Sequence, residues 1–125
     1  IIVKSNSFPR ELRLLTPSQF SRIFDHPVKA VSDHFTLLAK KNDQSHPRLG
    51  LTIAKKKEKT AVGRNRIKRI IRESFRLNQH NLPNIDIVVL ARDNIGQADN
   101  QQLHKQLNKL WKKIAQRSEQ SPKRR

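Results

Sequence analysis

Between Lys55 and Arg72 the chain reads Lys55-Lys56-Lys57-Glu58-Lys59-Thr60-Ala61-Val62-Gly63-Arg64-Asn65-Arg66-Ile67-Lys68-Arg69-Ile70-Ile71-Arg72, nine basic residues against one acidic. Such a run can bind a polyanion, because cations along a chain engage successive phosphates and release their counterions. A basic run is most often only a solvated face. Here, from Arg64 to about Leu77, Ile67, Ile70, Ile71 and Phe75 keep to one side of a 3.6-residue helix, with small Ser74 between them. Asn65, Lys68, Arg69, Arg72 and Arg76 occupy the opposite side. The isoleucines hold the cations at fixed spacing, and arginine adds forked donors for phosphates and a planar face for unpaired bases. The pattern points to RNA or DNA.

Composition agrees. Lys plus Arg number 27 against 10 Asp plus Glu, a net charge of +17 that makes the compact chain repel itself unless a polyanion is near. With no cysteine, disulfides and thiolate metal sites are excluded, and a zinc-finger mode of binding with them. His26, His34, His46, His80 and His104 are scattered without ligand spacing, and no carboxylate cluster suited to paired metals is visible. No apolar run is long enough to span a bilayer and no secretion leader is recognisable, so the expected location is cytoplasmic, with no membrane partner.

The elements that position these residues follow from periodicity. Thr16-Pro17-Ser18-Gln19 places a hydroxyl at N-cap, proline at N1 and glutamine at N3, and Phe20, Ile23 and Phe24 follow at helical spacing, predicting a short helix that ends near Asp25 to Pro27. Strands are expected at Val28 to Val31, at Phe35 to Lys41 and at Arg48 to Lys56. The last puts Leu49, Leu51 and Ile53 on one face and Gly50, Thr52 and Ala54 on a small, smooth one. The basic helix comes next, then a uniformly apolar strand from Ile87 to Ala91 that should be central. A final helix from Asn100 to about Arg117 repeats Leu103, Leu107, Leu110 and Ile114, and the same spacing reads Trp111 as packing. The fold class is α+β, an α/β sandwich in the order α-β-β-β-α-β-α: a partly extended segment at 1–15, one domain at 16–117 and a basic tail at 118–125.

Helical spacing alone places Phe20 and Phe24 in the core. The smooth strand face offers another use: if the first helix packs along its edge, the resulting cleft fits an extended single strand stacked on a phenylalanine without base-specific readout.

The stretch from Arg64-Asn65-Arg66 through Arg76 resembles the RNR signature of the bacterial ribonuclease P protein. Phe8 to Leu14, Phe20 to Phe24 and Arg48 to Lys56 also look like that family, in the same order, so the resemblance covers nearly everything except the two ends. It implies a left-handed crossover around the RNR helix, against the usual right-handed rule. It further implies that a catalytic RNA subunit performs the cleavage with divalent metal ions such as magnesium, while the protein binds that RNA and the 5′ leader of precursor tRNA. No cofactor and no obligatory protein partner are assigned to the protein itself. With that division of labour, the catalytic RNA is expected on the clustered basic run and its helix, at Lys55, Lys56, Lys57, Arg64, Asn65, Arg66, Lys68, Arg69, Arg72 and Arg76. The leader is expected on Phe20, Phe24, Thr36, Leu38 and Thr52, Leu38 standing where some relatives carry an aromatic residue. A ribosomal-type RNA-binding protein would share the charge but need no cleft, and an autonomous ribonuclease is the enzymatic alternative.

Overall fold

A computed structural model describes Arg13 and residues 16–120, and its first helix starts where the capping box requires. Thr16 Oγ1 accepts from the Gln19 amide at 3.2 Å while Gln19 Oε1 accepts from the Thr16 amide at 3.0 Å, opening α1, Pro17–Phe24. The strands are β1 (Val28–Val31), β2 (Phe35–Lys41), β3 (Arg48–Thr52) and β4 (Ile85–Ala91). Helices α2 (Ala61–Asn78) and α3 (Asn100–Gln120) flank β4 in sequence. The sheet order is β1-β2-β4-β3, with β3 parallel to β4 and the other pairs antiparallel. Arg13 adds an isolated parallel bridge to Leu49 at the β3 edge.

The element order is as expected, and β4 is central, as its apolar run requires. Several boundaries move for local reasons. β3 stops at Thr52 instead of Lys56, because the chain turns with the Lys57 amide donating to the Ala54 carbonyl at 2.9 Å. α2 begins at Ala61, since Thr60 caps it: its Oγ1 accepts from the Gly63 amide at 3.0 Å. β4 begins at Ile85, two residues early, because Asp86 interrupts the apolar run without leaving the interior. α3 continues past Arg117 to Gln120, beyond the expected domain boundary. The segment at 1–15, apart from Arg13, and the tail from residue 121 onward lie outside the described residues.

α2 and α3 lie side by side against one face of the sheet, where Ile67, Ile70, Ile71, Phe75, Leu103, Leu107, Leu110 and Ile114 pack on Phe35, Leu37, Leu49, Ile87 and Val89. Trp111 is buried there, edge-on to Phe75 with ring centroids 5.8 Å apart, and its indole N–H donates to Ser74 Oγ at 2.8 Å. α1 lies on the other face, across β2 and β4, with Ile23 seated on Leu38 and Val88. The molecule is thus three layers: one helix, the sheet, two helices.

Candidate nucleic-acid interface

Strand register sets out the α1 face in rows. Val31, Thr36, Leu90 and Thr52 form one row across the four strands, and Lys29, Leu38, Val88 and Gly50 the next. The third is Lys40, Asp86 and Arg48. Ile23 covers the middle row, so Leu38 keeps only 7% of its surface and forms the floor under α1. At 100° per residue, Arg22 and Phe24 leave α1 on opposite flanks of Ile23. Arg22 turns toward the third row and Phe20 toward the first, where it packs against the cluster beside Leu90. Phe24, on the same flank as Phe20, is 51% exposed. Phe20 and Phe24 therefore border a row in which Thr36 and Leu90 are half-covered and Thr52 is open. Of the five residues expected at the leader, Phe20, Phe24, Thr36 and Thr52 keep accessible surface, whereas Leu38 is buried beneath α1.

The third row fixes that geometry. Asp86 has no exposed surface, and its carboxylate accepts from four donors: Arg48 Nε and Nη2 and Asn42 Nδ2, each at 2.8 Å, and Arg22 Nη2 at 2.5 Å. Burial alone would raise the Asp86 pKa, but hydrogen bonds from Arg48 and Asn42 and the Arg48 charge outweigh it and hold the carboxyl below its ordinary value. Arg22 also donates to the Lys41 carbonyl at 3.1 Å, and Lys40 Nζ donates to the carbonyls of Arg22 and Asp25 at the end of α1. α1 is thereby clamped on one flank, which leaves its aromatic flank at a set height above the sheet. Sequence reasoning missed Asp86, Arg22 and Asn42; an acidic residue inside an apolar strand was the available signal.

Across the sheet, α2 presents the cations. Asn65, Arg69 and Arg72 are exposed and Lys68 is half-exposed, and these four make no hydrogen bond or ion pair among the described residues. Arg64 and Arg66 are partly engaged by the fold. Arg64 Nη1 donates to the Glu58 and Lys59 carbonyls at 3.0 and 2.9 Å, and Arg66 donates to Asn100 Oδ1 at 2.6 Å and to the Ala98 carbonyl at 3.3 Å. Arg76 is half-buried. In the loop before α2, Lys55 and Lys56 are exposed while Lys57 pairs with Asp93 at 2.5 Å.

Glu58, the one acid in the run, orders that loop. Its Oε2 accepts from the Thr60 hydroxyl at 2.7 Å and amide at 3.2 Å, and these bonds lower its pKa below the usual carboxylate range. A Cβ on Gly63 would meet Glu58 Oε2 at 2.3 Å, and one on Gly96 would meet Oε1 at 1.9 Å, so the side chain lies between two glycine backbones.

Comparison with known proteins gives the same family throughout. A sequence profile described as Ribonuclease P matches residues 8–115. The chain is 60% identical over 111 residues to the ribonuclease P protein component of Pseudoalteromonas translucida, spanning 89% of this chain and 79% of that protein. The solved structure of the Staphylococcus aureus RNase P protein superposes with a TM-score of 0.77 at 30% identity, over 83% of this chain and 97% of that one. That of Thermotoga maritima gives 0.73 at 32% identity, over 82% and 96%. With the sheet, the RNR helix and the matched length in agreement, the chain belongs to the ribonuclease P protein family.

Proposed function

We propose that this chain, as a non-catalytic subunit, binds the catalytic RNA of ribonuclease P on the α2 face and the 5′ leader of precursor tRNA in the α1 cleft, assisting removal of the leader. The observation that carries the reading is the division of chemistry between the two sides of the sheet: Lys68, Arg69 and Arg72 on α2, whose side chains have no partner among the described residues, and aromatic and small residues beside α1. Cations at fixed helical spacing suit the phosphates of a folded RNA. An open phenylalanine beside Thr36, Leu90 and Thr52 suits an unpaired strand, because any base can stack on a ring.

Cleavage is assigned to the RNA subunit and its magnesium ions. What supports this is the use to which three of the carboxylates are put: Asp86 binds two arginines, Glu58 caps a loop and Asp93 pairs with Lys57. Each is committed to holding the fold. Reconstitution with a bacterial ribonuclease P RNA tests the reading: the protein should increase leader removal and should not cleave alone. Specific leader removal by the RNA-free protein would overturn it.

A further inference from the structure

A layer of two helices side by side has two flanks, and here both are cationic. α2 and α3 meet along a seam where Arg66 donates to Asn100, Trp111 donates to Ser74, Asn78 Nδ2 lies 3.4 Å from Asn108 Oδ1, and Glu73 faces His104 at 3.8 Å. Counting 100° per residue from that seam, Arg64, Lys68 and Arg72 lie on the side of α2 away from α3. Lys109 and Lys113 lie on the side of α3 away from α2, with Lys105 and Lys112 beside them on the outward face.

All four of these lysines are exposed, and none has a hydrogen bond or ion pair among the described residues. The one acidic residue of α3, Glu119, lies six residues beyond Lys113, so no acid within the helix stands at i, i+3 or i, i+4 from any of the four. Lys105 with Lys109 and Lys109 with Lys113 are like charges at i, i+4, and Lys109 with Lys112 at i, i+3, an arrangement that weakens the helix in the free protein. A face kept merely for solubility would mix signs at these spacings. A bound polyanion turns the same repulsion into attraction.

We propose that this lysine stripe is a second phosphate-binding surface for the catalytic RNA, engaging the backbone of a base-paired segment apart from the RNA held by α2. The inference rests on the function proposed above. Lysine supplies compact point charge without the planar fork of arginine, and the one aromatic residue of α3, Trp111, is buried, so the stripe can neutralise phosphates but not stack on bases. The catalytic RNA is the favoured occupant because α3 shares its layer with α2, whereas the leader cleft is across the sheet.

The test replaces all four residues in the full chain, as K105Q/K109Q/K112Q/K113Q, with R69A/R72A as the comparison. Glutamine keeps helix propensity and removes the repulsion, and circular dichroism checks the helix content. Affinity for the catalytic RNA is measured against salt concentration. The log–log slope of the lysine variant should become shallower by about 3, four cations counting roughly 0.7–0.9 each. Hydroxyl-radical footprinting should show loss of protection at an RNA segment other than the one exposed by R69A/R72A. An unchanged slope and footprint, while R69A/R72A alters both, would overturn the second surface and leave the first. A slope that changes only for precursor tRNA binding to the assembled particle would overturn the assignment to catalytic RNA. If neither variant alters RNA binding, the proposed function fails and this inference with it.

Discussion

Arg22 and Phe24 stand two residues apart on α1, yet one is tied to a buried carboxylate and the other is open to solvent. That contrast separates stability from binding at the level of single side chains. Removing the Asp86 carboxylate leaves Arg48 nearly buried without its partner, so Asp86→Ala should cost about 3–5 kcal/mol, read from urea unfolding. Acid should act through the same group. Because the folded Asp86 pKa lies below the unfolded value, its contribution is complete above the unfolded pKa and is lost as pH falls through the depressed folded one. The stability of the native protein should therefore fall with acidification over that window more steeply than that of Asp86→Ala; parallel curves would remove Asp86 from the account. Phe24→Ala, by contrast, should change stability by no more than about 0.5 kcal/mol, as an exposed substitution does. Phe20 is the less clean probe, since it also packs against the Ile23, Leu38 and Val88 cluster.

At the scale of elements, α2 combines a capped start, a buried isoleucine face and a cationic outer face. Thr60→Ala should cost about 1 kcal/mol of stability through loss of the cap, measured by thermal unfolding. Arg69→Ala with Arg72→Ala should leave stability nearly unchanged and weaken catalytic RNA binding by roughly 2–4 kcal/mol, taking charged hydrogen bonds at about 1.5–3 each with incomplete additivity. Equal RNA affinity for the double variant would take α2 out of the interface. How much of this was legible in the sequence depended on periodicity. Ile67, Ile70, Ile71 and Phe75 announced the helix, and Thr16 to Gln19 fixed the start of α1, because both signals are local. Asp86 was hidden, since its partners Arg22, Asn42 and Arg48 are distant in the chain and only the strand register assembles them. For the same reason Leu38 could be assigned to a face but not recognised as lying beneath Ile23. Likewise, the run from Lys55 to Arg72 was legible as charge, while the engagement of Arg64 and Arg66 by backbone carbonyls depends on the Glu58 loop and on residues near Asn100.

Over the whole molecule, a charge of +17 on 125 residues favours any polyanion, so affinity for RNA as such says little about which surface acts. The sheet separates two chemistries, and the proposed function requires that they serve two RNAs. The most direct measurement is a comparison of Phe24→Ala with R69A/R72A in three binding titrations: protein with catalytic RNA, and reconstituted particle with precursor tRNA and with mature tRNA. Phe24→Ala should lose about 1–3 kcal/mol for precursor tRNA, as expected for one stacked base. It should keep its affinity for mature tRNA and for the catalytic RNA. R69A/R72A should lose affinity for the catalytic RNA, and its particle, once assembled at saturating protein, should still prefer precursor over mature tRNA. Equal loss of precursor and mature tRNA binding by Phe24→Ala, or loss of its catalytic RNA affinity, would contradict the division of the two faces.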